Sequence, residues 1–343
     1  MLMLNSMRLF GFLFFLTLLG ISCQSAVVEE THSDCQLIFA DSLQAARAIV
    51  KDDAEHFFEK IGMLDMKIQL KFIAQDSRSR ETLLQEYRFY LQDDVRAFTE
   101  SEQILLQWVL KEAIQLCRNL SPELVPDTLG LIKTPGKHYG PSVFYTREHN
   151  IIIPQSDLLD PDRKDLLRVM LHELFHIYSR YHPEKRKLLY ALIGFRPLPG
   201  GGEALRFSPE LQDLLLTNPD GIDVAYAIRL RHPSKGQLQA IPLITSRYKQ
   251  FNPSMRAFFN YLNFDLYAIR QKSDGTFQVL SRPDGSSTLQ EAEKKSFYEQ
   301  IGDNTDYIIH PDEILADNFA LLAMEGAGGD PLLKGMRQII KND

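Results

Sequence analysis

Two histidines four residues apart, His172 and His176, lie in an apolar run from Leu166 to Ile177, with Glu173 directly after the first. Four positions along an α-helix make one turn plus roughly 40°, so both imidazoles leave the same face. Leu166, Leu167, Met170, Leu171, Leu174, Phe175 and Ile177 predict a helix over 162–181 that is buried on most sides. A buried helix can carry two imidazoles and a carboxylate only if other segments supply partners for them. His-Glu-x-x-His at this spacing can grip one Zn²⁺, with the glutamate beside it to handle a metal-bound water. In the competing reading both histidines are satisfied within a core, and Glu173 pairs with Arg168 or Arg180.

A catalytic zinc takes three protein ligands and keeps a fourth position for water, whose pKa it lowers toward neutrality. His172 and His176 are then ligands, and Glu173 is the general base. Two residues compete for the third ligand position. His182 gives the string metzincin spacing, but Ser179 stands where metzincins carry a glycine turn. A helix continuing to Pro183 would put His182 off the ligand face. The other candidate, Glu313, lies in His310-Pro311-Asp312-Glu313-Ile314-Leu315-Ala316-Asp317, where Pro311 suits a first helical turn and Glu313 shares a face with Asp317.

Glu313-x-x-Ala316-Asp317 resembles the E-x-x-A-D element of gluzincins, particularly the CAAX-processing and heat-shock membrane endopeptidases. The resemblance implies that Glu313 is the third zinc ligand and that Asp317 orients His172 or His176 through a hydrogen bond. It covers two short motifs, and this chain lacks the transmembrane helices of those proteins. It implies an α+β, zincin-like metallopeptidase fold in which a strand near the active-site helix lines the cleft and pairs with substrate backbone. Tyr248, Tyr261, Tyr267, Tyr307 and His310 are the candidates for stabilising the oxyanion, and His310 is alternatively a helix cap.

The rest of the chain sorts into blocks. Residues 36–120 read as helical, with Thr99-x-x-Glu102 as a capping box ahead of an apolar stripe of Ile104, Leu105, Trp108, Val109 and Ala113. Residues 121–195 hold short strands at Val143–Tyr145 and Ile151–Ile153, then the His172 helix and a second helix from Pro183. Pro197–Gly202 reads as a loop, either a lid over the cleft or a surface connection. Residues 222–281 read as a β-rich insertion with a hairpin signal at Asp274-Gly275, and 288–343 as helical.

Ahead of the fold, residues 1–22 read as a signal peptide, with Arg8 before an apolar run too short to span a bilayer. Leu19-Gly20-Ile21-Ser22-Cys23 resembles a bacterial lipoprotein cleavage site, with Gly20 where such sites usually hold leucine. A lipidated Cys23 implies membrane attachment at the cell envelope through a 23–35 tether; an ordinary cut near Ala26 implies secretion. Cys35 and Cys117 then remain either as a disulfide or as two free thiols. A net charge of −7 without a basic patch excludes a nucleic-acid partner. The expected activity is zinc-dependent hydrolysis of peptide or protein substrates. Two alternatives use the same residues: a non-catalytic envelope lipoprotein keeping the zinc helix as a scaffold, and an amidase acting on cell-wall cross-links.

Overall fold

A buried central helix forms where its cap and its apolar pattern agree. Asp162 accepts hydrogen bonds from Lys164 N and Asp165 N, and the helix runs Arg163–Tyr181, with Leu166, Met170, Leu171, Leu174, Phe175 and Ile177 all buried. The structure is a computed structural model that describes residues 35–72, 78–232, 236–255 and 257–342. The signal peptide, Cys23 and all of the tether but Cys35 lie outside the described residues.

In chain order the strands are β1 Gln36–Phe39, β2 Thr128–Thr134, β3 Tyr145–Arg147, β4 Asn150–Pro154, β5 Phe195–Pro197, β6 Leu205–Arg206, β7 Tyr226–His232, β8 Gly236–Ser246, β9 Leu262–Gln271 and β10 Phe277–Val279. The helices are α1 Ser42–Ala48, α2 Phe57–Lys60, α3 Met63–Gln69, α4 Arg80–Asp93, α5 Glu100–Leu120, α6 Arg163–Tyr181, α7 Pro183–Leu192, α8 Pro209–Gln212, α9 Glu291–Ile301, α10 Pro311–Glu325 and α11 Pro331–Lys341. The architecture is mixed α+β. Among the described residues no helix is long and apolar enough to cross a membrane.

The first sheet has the order β1-β2-β4-β3, parallel except for β3, which runs antiparallel to β4. It divides two cores. Leu129, Leu131, Ile151 and Ile153 face α5 and α6, whereas Ile132, Ile152 and Tyr145 face the core that contains residues of α1–α4. The second sheet, β5-β7-β8-β9-β10-β6, likewise turns Ile228, Leu230 and Leu266 toward the main core and Ile241, Leu243 and Phe277 toward a smaller one.

Three sequence expectations need correction, and one open alternative is decided. Residues 36–120 are not helical throughout, because Gln36–Phe39 is a strand paired in parallel with Thr128–Leu131. Ile151–Ile153, which the sequence leaves open between a cleft-lining edge strand and a buried one, is the buried one: it lies between β2 and β3, all three isoleucines are fully buried, and β3 takes the edge. The β-rich block is wider than 222–281, since Phe195–Pro197 and Leu205–Arg206 belong to the same sheet. On α5 the capping box forms, but Ile104 and Trp108 are 60% and 54% exposed, and the buried face is Leu106, Val109, Leu110, Ala113 and Cys117. Cys35 and Cys117 are both free thiols. The Asp274-Gly275 turn forms, with Gly275 at φ 86°.

Glu102 has a second role besides its cap. Its carboxylate takes a 2.6 Å hydrogen bond from Nζ of Lys133, whose side chain is 5% exposed at the inner strand β2. Burial works against the Glu102 charge, but the Lys133 and Thr99 hydrogen bonds outweigh it and hold the carboxyl below its ordinary 4.5. Glu102→Ala leaves a buried ammonium without its partner and should cost about 3 kcal/mol in urea unfolding at pH 7. A depressed carboxyl stabilises the fold above its unfolded pKa and loses that contribution as pH falls through the folded value. The gap between wild type and variant should therefore shrink in acid; a gap that holds constant below pH 3 would contradict the ion-pair origin.

Candidate metal centre

The two histidines of α6 meet α10, a helix that begins well over a hundred residues later. His310 caps α10, accepting a 3.1 Å hydrogen bond from Asp312 N through Nδ1, and Pro311 occupies the first turn. His310 is thus a cap, and it borders a cavity other than the one that His172 lines. The first two turns of α10 deliver three carboxylates, Asp312, Glu313 and Asp317, to the two imidazoles.

Each ring is held from behind. His172 Nδ1 lies 3.0 Å from Asp317 Oδ1, and His176 Nδ1 lies 2.7 Å from Asp312 Oδ2. A carboxylate at Nδ1 selects the Nδ1–H tautomer and leaves Nε2 with a lone pair. The supports are themselves fixed. Asp312 Oδ1 accepts from Ser179 Oγ at 2.5 Å and from Tyr190 OH at 2.9 Å, and Asp317 Oδ2 accepts from Thr305 Oγ1 and lies 3.4 Å from Arg168.

The freed lone pairs converge. His172 Nε2 and His176 Nε2 are 2.9 Å apart, and Glu313 Oε2 is 3.0 Å from the first and 3.2 Å from the second. Asn218 Nδ2 donates to Glu313 Oε1 at 2.7 Å and so turns Oε2 toward the rings. Metal–ligand bonds of roughly 2.0–2.2 Å at tetrahedral angles separate ligand atoms by about 3.3 Å, close to this triangle. His172, His176 and Glu313 could therefore hold a metal ion, and they are the group among the described residues whose ligand atoms cluster in this way.

Charge in the centre runs in the same direction. Burial depresses His172, yet its hydrogen bonds to Asp317 and Glu313 overcome this and push it up to about 9. Burial also opposes the charge on His176, but Glu313, Asp220 and Asp312 raise it well above the ordinary value. Burial raises Glu313, but the two imidazoles hold it far below the usual carboxylate range. The site calls for positive charge between Nε2, Nε2 and Oε2, which a cation supplies.

Glu173 follows His172 directly on α6. It is 3% exposed, and its Oε2 is buried without a hydrogen-bond partner. Burial first, and the nearby Asp220 second, push its carboxyl up to about 8. Neither arginine considered as its partner reaches it. Arg168 pairs with Asp317, and Arg180 binds Glu55, Thr146 Oγ1 and the carbonyl of Glu148. Glu173, His172, Glu313 and Asp317 line a cavity of about 420 Å³, walled by Pro141–Phe144 on one side and by Ala257 and Phe259 on another. His172, 12% exposed, is the imidazole that opens onto it.

The remaining candidates separate cleanly. His182 ends α6, with Nδ1 2.9 Å from the Tyr178 carbonyl and its ring stacked on Tyr178 at 4.4 Å, and it takes no part in the centre. Tyr307 lines the cavity, with its ring 6.1 Å from that of His172. Tyr261 and Tyr267 spend their hydroxyls on the carbonyls of Asn252 and Gly285, and Tyr248 packs on Tyr261. The Pro197–Gly202 loop is no lid over the centre: Gly200, Gly201 and Gly202 border a different cavity, of about 510 Å³.

Sequence reasoning missed Asp312, Asn218 and Asp220. Asp312 carried a usable signal, since two ligating imidazoles need two outer partners and Asp312 and Asp317 flank Glu313 on one helix. Asn218-Pro219-Asp220-Gly221 reads only as a turn. The chain matches no protein-family model, no curated protein and no solved structure.

Asp312 is 3% exposed, and the Asp317 side chain is 16% exposed beside Arg168. Asp312→Ala should weaken divalent-metal affinity by about 10- to 100-fold, and Asp317→Ala by less. Competition against a chromophoric chelator measures both; equal affinities in wild type and Asp312→Ala would remove Asp312 as the support of His176.

Proposed function

We propose that this chain is a zinc-dependent metallopeptidase of the gluzincin type on a zincin-like fold. The observation that carries the proposal is the triangle of His172 Nε2, His176 Nε2 and Glu313 Oε2, set beside a carboxylate oxygen of Glu173 that has no partner. His172, His176 and Glu313 would hold Zn²⁺. Zinc bound there supplies Lewis-acid polarisation and brings the pKa of a water toward neutrality.

The chain's own groups then divide the remaining work. Glu173 accepts the proton of the attacking water on Oε2 and returns it to the leaving amine. Burial and Asp220 raise the affinity of this carboxylate for a proton, which suits it to take one from water. Asp312 and Asp317 hold the two rings in orientation, with Nε2 of each turned toward Glu313 Oε2. Tyr307 is the hydroxyl best placed to donate to a developing oxyanion. Burial, together with Glu313 and Asp220, raises its pKa well above the ordinary value, so it stays an O–H donor. Substrate is a peptide or protein segment entering between Val143–Phe144 and Phe259. The apolar leader ending at Cys23 supports export to a bacterial envelope, with attachment through a lipidated cysteine.

Glu173→Gln should keep its zinc and lose hydrolysis of a peptide library by about 10²- to 10⁴-fold. Metal analysis of Glu313→Ala should show zinc lost, and of His182→Ala zinc kept. Undiminished turnover in Glu173→Gln would remove Glu173 as the base, and the reverse metal pattern would overturn the ligand assignment. Purified peptidoglycan digested beside casein separates a cell-wall amidase from a peptidase.

A further inference from the structure

Asp220 faces the cavity of the metal centre without a hydrogen bond to any of its groups. It does not support an imidazole, and it is not in the ligand triangle. It is 7% exposed, and its Oδ1 accepts from Thr146 N at 2.7 Å and Thr146 Oγ1 at 2.5 Å, with Arg180 Nη2 at 3.7 Å. Among the described residues Oδ2 receives no hydrogen bond. A carboxylate oxygen that borders an open cavity and takes no hydrogen bond from the described residues can accept one from a ligand there.

A second observation, from the sheet edge, gives the same position a meaning. β3 is the edge strand, and its outward amide at Thr146 is already taken by Asp220. Further on, the carbonyl of Glu148 is taken by Arg180 Nη1 at 3.0 Å, and Arg180 is in turn held by Glu55. The edge is therefore closed from Thr146 onward. The stretch that borders the cavity, Val143–Phe144, remains open to an added strand. A peptide pairing antiparallel to this stretch runs from the Thr146 end toward Val143. Its first residue meets the closed end, where the free oxygen of Asp220 stands.

We propose that the cleft takes peptides by a free amino terminus, with Asp220 receiving the α-ammonium where the edge strand is capped. The assignment rests on the peptidase reading, and it narrows the substrate class to unblocked amino termini in place of internal segments. An ammonium suits the site chemically: it offers three donors and a positive charge to a carboxylate that is fixed on one oxygen and free on the other. A blocked amino terminus offers neither the charge nor the donors.

The test separates binding from turnover. Zinc-loaded Glu173→Gln protein is titrated with one fluorescent peptide in three forms: free amino terminus, Nα-acetylated, and Nα-acetylated with lysine as the first residue. Acetylation should weaken binding by about tenfold or more, the scale of one charge-assisted hydrogen bond. Adding Asp220→Asn should bring the free and acetylated forms to the same affinity. Asparagine keeps an oxygen for Thr146, so the edge cap survives and a merely structural role for Asp220 would leave the ratio between the two peptides unchanged. On wild type, kcat/KM should show the same preference, and mass spectrometry should show residues released from the amino end. Equal binding of free and acetylated peptide overturns the proposal, as does internal cleavage of the acetylated form at the rate of the free one. Full recovery by the acetylated lysine peptide shows that a side-chain ammonium is recognised and overturns the assignment to the amino terminus. Amine-dependent binding with no turnover by wild type leaves the ammonium site standing and removes the peptidase reading.

Discussion

The register between α6 and α10 is the constraint on which the centre depends. Two imidazole–carboxylate contacts, His176 to Asp312 and His172 to Asp317, join helices that are remote in sequence. The histidines are four positions apart and the aspartates five, so both contacts form together at one alignment of the two helices. A slip of one residue moves α10 by about 1.5 Å and turns it by about 100°, which would break both contacts and swing Glu313 out of the triangle. Apolar packing holds the alignment. Phe175 meets Phe319 with ring centroids 5.3 Å apart, and Ala316 and Ala320 are fully buried. Small side chains at those positions let the helix backbones approach closely. This gives a packing reason for the alanine in Glu313-x-x-Ala316-Asp317 that is independent of the metal.

The segment Thr217–Gly221 locks the centre to the rest of the molecule. Thr217 N donates to the buried Asp65 on α3 at 3.0 Å, Asn218 aims Glu313, and Asp220 caps the edge strand at Thr146. Gly221 must be glycine, because a Cβ there would lie 2.2 Å from the His310 ring. One short irregular stretch thus touches the α3 region, the ligand helix and the first sheet. Loops that carry recognition on a rigid scaffold are a common arrangement. Here the loop also completes the hydrogen bonding of the scaffold.

Much of this was legible in the sequence where the signal was local. The Asp162 cap, the apolar periodicity of α6, the Thr99–Glu102 box and the Asp274-Gly275 turn each depend on residues within a few positions of one another. The pairing of His172 and His176 with Glu313 was readable because each motif implies a missing partner. What depended on distant packing was not legible. Gln36–Phe39 is a strand because β2 lies beside it, and Leu37-Ile38-Phe39 suits a helix equally well. Helix α5 offers two apolar stripes, and only the position of α6 and the first sheet decides that Leu106, Val109 and Leu110 are covered while Ile104 and Trp108 stay exposed. Ile151–Ile153 has isoleucines on both faces, which marks an inner strand, but its edge neighbour β3 is only three residues long and weakly apolar.

The polar groups of the centre also explain why its rigid and selective parts lie on different elements. Every atom of the ligand triangle and both of its outer carboxylates belong to α6 or α10, whose dihedral angles are fixed by their own hydrogen bonds. Elements of this kind hold reacting groups more precisely than loops do. Of the other residues that line the cavity, Pro141–Phe144 and Asp220 lie between regular elements, and Phe259 lies in a short 3-10 turn at Phe258–Tyr261. Changes there would reshape the cavity without moving Nε2, Nε2 or Oε2. Asp220 is the exception that ties the two parts together, because the oxygen it presents to the cavity belongs to the same carboxylate that ends the edge strand. One side chain therefore both caps the edge strand and places a carboxylate on the cavity wall, and removing Asp220 would remove the two together.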